Sequence, residues 1–253
     1  MRVIDLNADL GESFGPWKMG DDDRMMRIVS SANIACGGHA GDNMTMFESV
    51  TAARDAGVAI GAHPGFEDRQ GFGRRRLPMT ATEIERLVAA QTGALCGIAA
   101  LAGTEVRYVK AHGALGNWGA AEPEVAAAIV RATRAVLGDH AMLLAISGTA
   151  LEAEAASAEL PACSEVFADR GYTAQGQLVP RGTPGAMIHD ADEAADRLIA
   201  FLETGSMPTV EGNPIRLNAG SICVHGDGPT AVAMAGTLRT RLQDAGFRIE
   251  SFT

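Results

Sequence analysis

Residues 31–42 read SANIACGGHAGD, an apolar run that stops on two glycines, a histidine, a third glycine and an aspartate. Ala32 to Cys36 has the composition of a short strand. Asp42 stands where a helix starting near Asn43 would take its N-cap. A strand, a tight glycine-bearing turn holding a histidine, and a capped helix make one βα unit, and the same pattern recurs along the chain. Further strand candidates are residues 3–7, 58–62, 106–110, 141–146, 165–168 and 221–224, about seven strands with the first. The intervening segments carry helix signals. Thr80 and Glu83 form a capping box, followed by Ile84, Leu87, Val88, Leu95 and Ile98 at helical spacing, with Gln91 breaking the stripe. Pro123 opens another helix that Gly138 ends, Asp190 with Glu193 opens a third, and Pro229 and Gly246 bracket the last. Strands alternating with helices predict an α/β protein built on a parallel sheet. No linker, charge block or repeat divides residues 1–253, so one domain is expected.

Bulk properties narrow the function. The 253 residues are 47% hydrophobic and carry a formal charge of −10, from 21 basic and 31 acidic side chains. That acidic balance argues against nucleic acid or an anionic membrane as partner. Cys36, Cys96, Cys163 and Cys223 are scattered, which fits reduced thiols and a cytoplasmic protein better than a disulfide framework. No signal peptide and no long uncharged apolar run is evident, so a soluble chain is expected.

Ligands of parallel α/β folds bind at the C-terminal ends of the strands, and here those ends are polar. Asp5, Asn7 and Asp9 share one face of the first strand if it extends that far, and Glu12 follows. The second strand leads to His39 and Asp42, and the third to His63. The fourth carries Lys110 and His112, the sixth ends in Asp169 and Arg170, and the seventh in His225 and Asp227. Histidines can move protons near neutral pH or ligate a metal, Asp9 and Glu12 can act as bases or ligands, and Lys110 can stabilise negative oxygen. Arg74 and Arg75, in the loop GFGRRR, suit a carboxylate or phosphate. Glycines 37, 38 and 41 would let backbone N–H groups approach a ligand. Two long turn-rich connections, residues 64–78 and 169–184, are candidate lids. Cys36 is a weaker nucleophile candidate, since buried cysteines usually pack as small hydrophobes. His140 precedes a strand and His189 sits beside a helix cap, so neither is assigned chemistry. No P-loop, dinucleotide fingerprint, H-E-x-x-H or G-x-S-x-G occurs.

In order along the chain, DLNADLGESFG (5–15), SANIACGGHAGD (31–42), GVAIGAHPGFEDRQGFGRR (57–75), VKAHGALGN (109–117), EVFADRGYTAQGQLVPR (165–181) and SICVHGDGP (221–229) resemble the LamB/YcsF family of lactam-utilisation proteins. The family is described as the A subunit of the prokaryotic ATP-dependent 5-oxoprolinase. The resemblance implies a seven-stranded parallel β/α barrel, similar to glycoside hydrolases and deacetylases. It also implies the reaction 5-oxo-L-proline + ATP + 2 H₂O → L-glutamate + ADP + phosphate, carried out with separate subunits B and C. Where the family reads KPHGALYN, this chain has Ala111 for proline and Gly116 for tyrosine, a change that bears on substrate choice.

On that reading Lys110 stabilises negative oxygen, Asp9 with His39, His63 or His112 activates water or moves protons, and Arg74, Arg75 or Arg170 holds the substrate carboxylate. Asn7, Glu12, Asp42, Asp169, His225 and Asp227 complete the expected substrate site. Two other readings stand beside it. One is a metal-dependent hydrolase of another lactam or amide that acts alone, with Asp9, His39 and His63 holding a divalent ion. The other is a non-catalytic subunit that positions its partners.

Overall fold

The computed structural model describes residues 2–224 and 230–253. His225, Asp227 and Pro229 therefore lie outside the described residues.

Strand β1 (Arg2–Leu10) runs further than its apolar core suggested, and its length decides the site. Ile4, Leu6, Ala8 and Leu10 are buried in the apolar core, while Asp5, Asn7 and Asp9 alternate with them, as a period of two requires. The chain continues through α1 (Asp22–Met25), β2 (Ser31–Ala35), α2 (Asn43–Ala56), β3 (Ala59–His63) and α3 (Ala81–Leu101). It then forms β4 (Tyr108–Val109), α4 (Gly113–Ala121), α5 (Pro123–Leu137), β5 (Leu143–Ile146), α6 (Ala150–Ser157) and β6 (Ala162–Phe167). The last third holds α7 (Ala191–Thr204), β7 (Ser206–Met207), β8 (Ile215–Arg216), β9 (Ser221–Val224), α8 (Ala231–Asp244) and β10 (Phe247–Ile249).

Strands β1–β6 and β9 pair in parallel, and β9 returns to β1 to close a barrel of seven strands. The seven sequence-derived strands correspond to these. The elements the periodicity did not reveal are short or lie outside the barrel: α1, α4, α6, the β7–β8 hairpin, and β10, which pairs with residues 2–4 of β1. The helix signals hold at their positions. Thr80 and Glu83 make a reciprocal capping box on α3, Pro123 opens α5 and Gly138 ends it, Asp190 caps α7, and Gly246 follows α8 in a positive-φ conformation. Helix α3 is long and apolar enough by composition to cross a membrane. Here Ile84, Val88, Leu95 and Ala99 bury its apolar stripe in the core of the barrel protein.

The barrel interior is polar and layered. Asp5 accepts from the hydroxyls of Ser30 (2.6 Å), Ser31 (2.7 Å) and Ser221 at the bottom. Above it, Asn33 donates to Asn7 (2.7 Å) and accepts from the Tyr108 hydroxyl (2.6 Å). Asn7 in turn donates to Glu165 at 3.0 Å. Groups this deeply buried must be satisfied by one another, and each layer supports the one above.

Candidate active site

Lys110 follows β4 and Asp9 lies on β1, three strands away around the barrel, so they meet only across the lumen. The Lys110 ammonium lies 2.7 Å from Glu165 Oε1 and 3.0 Å from Asp9 Oδ1, with Asn7 Oδ1 at 3.2 Å and Cys223 Sγ at 3.1 Å. Burial opposes its charge, yet the carboxylates of Asp9 and Glu165 outweigh that and hold its pKa well above the usual lysine range. Glu165 was not among the sequence candidates. Its signal was the same alternation that exposed Asp5, Asn7 and Asp9, since Glu165 and Phe167 share a face of β6.

The histidines gather beside this pair. Glu12 Oε1 lies 3.2 Å from His39 Nε2 and 3.8 Å from His112 Nδ1. His63 Nε2 lies 3.3 Å from Asp9 Oδ2 and 3.0 Å from His112 Nδ1. His39 stacks flat on His112, with ring centroids 3.6 Å apart and planes 1° from parallel. Glu12, His39, His63 and His112 each offer one ligand atom, all within 4.8 Å of one another, so this buried group could hold a metal ion. The donor chemistry fits, as imidazole and carboxylate suit first-row divalent ions.

Loop 64–78 forms a wall of the site. Phe72 has a φ of +54°, a strained value for a residue with a side chain. It puts its ring edge-on against His39 and His112 and its carbonyl 2.8 Å from His112 Nε2. Gly73 packs so closely that a Cβ there would stand 2.7 Å from His39 Cβ. Gln91, the residue that broke the apolar stripe of α3, binds both polar groups of Gly65, accepting from its N–H at 3.0 Å and donating to its carbonyl at 2.8 Å. Gly65 in turn packs on His39, where a Cβ would lie 2.7 Å from Nδ1.

In the 31–42 stretch the glycines serve packing. Gly37 and Gly41 take positive φ, and a Cβ on Gly38 would meet Gln91 at 2.5 Å and the Gly65 carbonyl at 2.6 Å. Asp42 caps α2, accepting from Thr45 N at 2.8 Å and from Gly15 N at 2.7 Å.

A cavity of about 460 Å³ opens at this end of the barrel, lined on one side by Asp9, Glu12, His63, Lys110, His112 and Glu165. Arg74, Arg170 and Arg181 line it elsewhere. Arg170 gives Nε to the Ala186 carbonyl (3.1 Å) and Nη2 to that of Val179 (2.6 Å), fixing loop 169–184 as another wall. Arg75 makes a two-pronged ion pair with Asp68 and steadies loop 64–78. Asp169 is buried just past β6. Ala111 and Gly116 both line the cavity, and a side chain at 116 would meet the Ala111 carbonyl at 2.5 Å. The small residue and the course of the strand exit are thus coupled. Cys36 is buried and its thiol is pushed up to about 12, chiefly by burial, which keeps it a neutral thiol near pH 7.

Burial, with the neighbouring His112 and His63 adding to it, drives His39 well below the usual imidazole pKa. Burial, with His63 adding, takes His112 down to about 3 against the pull of Asp9. The unfolded chain binds these protons near pH 6.5 and the folded chain does not. The stability that His112 contributes is therefore complete above about pH 7 and declines on acidification toward pH 3, by about 1.4 kcal/mol per pH unit, and His39 adds a decline in the same direction. Urea midpoints measured with chelator present should drop steeply between pH 7 and pH 4.5, and His112→Gln should flatten the curve. A profile level across that range would contradict neutral burial.

The closed ring of seven parallel strands, with helices on its outside, puts the molecule in the class of β/α barrels. The catalytic domain of peptidoglycan N-acetylglucosamine deacetylase from Eubacterium rectale shares that fold, with a TM-score of 0.53 at 10% identity over 100% of this chain and 89% of that one. Within the class, the chain belongs to the LamB/YcsF family, whose pattern matches residues 4–253. It is 51% identical over 253 residues to the 5-oxoprolinase A subunit of Azorhizobium caulinodans, spanning 100% of this chain and 99% of that protein. The crystal structure of the lactam utilization protein from Thermus thermophilus superimposes with a TM-score of 0.92 at 39% identity, with both chains covered in full.

Proposed function

We propose that this chain opens the ring of 5-oxo-L-proline to give L-glutamate, as the A subunit of an ATP-coupled, multi-subunit cytoplasmic 5-oxoprolinase working with subunits B and C. Full-length similarity to a protein named as the A subunit of 5-oxoprolinase supports the substrate. The observation that carries the chemistry is the Asp9 carboxylate on the cavity wall, 3.0 Å from the Lys110 ammonium and 3.3 Å from His63.

A lactam is an unactivated amide, so hydrolysis needs a nucleophile made more reactive and a leaving nitrogen that is protonated. Asp9 removes a proton from water as its oxygen attacks the lactam carbonyl carbon. The same carboxyl then returns that proton to the ring nitrogen as the C–N bond breaks. The N–H groups of Lys110 are directed at Asp9, Glu165 and Asn7, so on this reading it acts by fixing and charge-balancing Asp9. Arg74 and Arg181 line the cavity and supply positive charge for the substrate carboxylate. ATP couples to this step by transferring its γ-phosphoryl group to the lactam oxygen with release of ADP; water attack and C–N cleavage then leave an acyl phosphate, which a second water hydrolyses to the glutamate carboxylate and phosphate.

The histidine group favours a second reading, hydrolysis of another lactam or amide by this chain alone. Glutamate release from 5-oxoproline, measured with and without ATP, separates the two. The first predicts turnover only with ATP and subunits B and C present. Turnover by this chain alone without ATP supports the second, and no glutamate from the complete mixture rejects 5-oxoproline as substrate.

A further inference from the structure

The ring nitrogens of His63 and His112 are oriented by their backs. His63 Nδ1 lies 2.7 Å from the Lys110 carbonyl, and His112 Nε2 lies 2.8 Å from the Phe72 carbonyl. A carbonyl only accepts, so each of those nitrogens carries the ring proton. In neutral rings the opposite nitrogens, His63 Nε2 and His112 Nδ1, then hold lone pairs, and they face each other at 3.0 Å. Two carboxylates add to the same point: Asp9 Oδ2 lies 3.3 Å from His63 Nε2, and Glu12 Oε1 lies 3.8 Å from His112 Nδ1. Imidazole lone pairs and carboxylate oxygens converging on one buried point are the donor set that a divalent cation takes.

We propose that Glu12, His63 and His112 bind one first-row divalent metal ion at the cavity wall, with His39 as a positioning residue behind them. Three observations divide the roles in this way. Glu12, His63 and His112 line the cavity, so an ion on them keeps a coordination position open to it, the pattern of catalytic rather than closed structural sites. Donors bound at about 2.0–2.1 Å to one ion stand roughly 3–4 Å from each other, and His112 Nδ1 lies 3.0 Å from His63 Nε2 and 3.8 Å from Glu12 Oε1. His39 and His112 stack at 1°, so their in-plane lone pairs run parallel and do not point at one ion.

His39 instead gives its Nε2 proton to Glu12 at 3.2 Å. Its other nitrogen, Nδ1, is buried without a hydrogen-bond partner, as suits an unprotonated nitrogen pressed against Gly65. Carbonyls behind two ligand imidazoles and an imidazole behind the ligand carboxylate form the outer shell that metal sites use to fix tautomer and orientation. This set differs from the Asp9, His39 and His63 triad expected from the sequence. Asp9 stays on Lys110, beside the ion. Bound there, the ion would act as a Lewis acid on water or on the lactam oxygen.

The test uses the isolated full chain without ATP or lactam, so its result is independent of the proposed reaction. Chelator-treated protein is titrated with Co²⁺ and followed by visible absorption and equilibrium dialysis. One equivalent per chain, displaced by Zn²⁺, is expected. Glu12→Gln, nearly isosteric, and His112→Ala should each weaken binding at least 100-fold, and His39→Phe, which keeps a stacking ring, about 10–100-fold. His140→Ala, on the exposed surface, should leave it unchanged. No saturable Co²⁺ binding, or binding that Glu12→Gln and His112→Ala both leave intact, would overturn the proposal.

Discussion

Replacing Lys110 with methionine should lower the unfolding free energy by about 3–5 kcal/mol, the usual result of removing one partner from a buried ion pair. Methionine fills much the same volume, so the loss is electrostatic rather than a cavity effect. The Glu165 carboxylate, 2.7 Å from Lys110 and 1% exposed, would lose its counter-charge together with Asp9. Two buried negative groups would then share the lumen without their cation. In a chain of this size the melting temperature should fall by about 10 °C or more. Lys110→Met combined with Glu165→Gln should recover a large part of the loss, because the second change removes one of the stranded charges. Urea unfolding of the wild type, both single variants and the double variant measures the coupling. Unchanged stability in Lys110→Met would mean that Asp9 and Glu165 do not depend on it.

Asp9→Asn should behave in the opposite way, remaining folded while turnover falls about 10²–10⁴-fold, the range for loss of a general base. Asparagine can keep its carbonyl oxygen on Lys110 and Asn33, which now lie 3.0 and 2.8 Å from Asp9 Oδ1. Its amide can donate to His63 Nε2, whose distance from Asp9 Oδ2 is 3.3 Å. Geometry survives and only the ability to take a proton is lost, so kcat should fall far more than KM rises. Glutamate release by the full mixture of subunits, with circular dichroism as the control for folding, gives the answer. Near-normal turnover in a folded Asp9→Asn protein would remove Asp9 from the chemistry.

Glycine 116 shows how far a single position can be read from sequence. As a departure from KPHGALYN it marks a change at the cavity, but its physical meaning comes from the 2.5 Å that separates a Cβ at that position from the Ala111 carbonyl. Gln91 is the reverse case. The sequence marks it only as a polar break in an apolar helix face, and the reason for that break lies 26 residues away at Gly65. The arginines of GFGRRR divide in the same way, since Arg74 lines the cavity while Arg75 is committed to Asp68.

What the sequence determined by itself is local. Periods of two and 3.6, the capping box at Thr80 and Glu83, Pro123 and the terminal glycines depend on neighbours a few residues away, and those neighbours are in the sequence. The presence of polar groups at strand ends is legible for the same reason. Which of them meet was decided only by closing the barrel. Lys110 meets Glu165 and Asp9 because β1, β6 and the exit of β4 face one closed lumen. Asp42 and Arg75, as polar as the others, are instead taken up by a helix N-terminus and a loop ion pair. His39 stacks on His112 because loop 64–78 presses Phe72 and Gly73 against both. Such pairings depend on strand stagger and on where buried polar groups can find partners away from water. That is a property of the whole closed sheet, and no short stretch of sequence contains it.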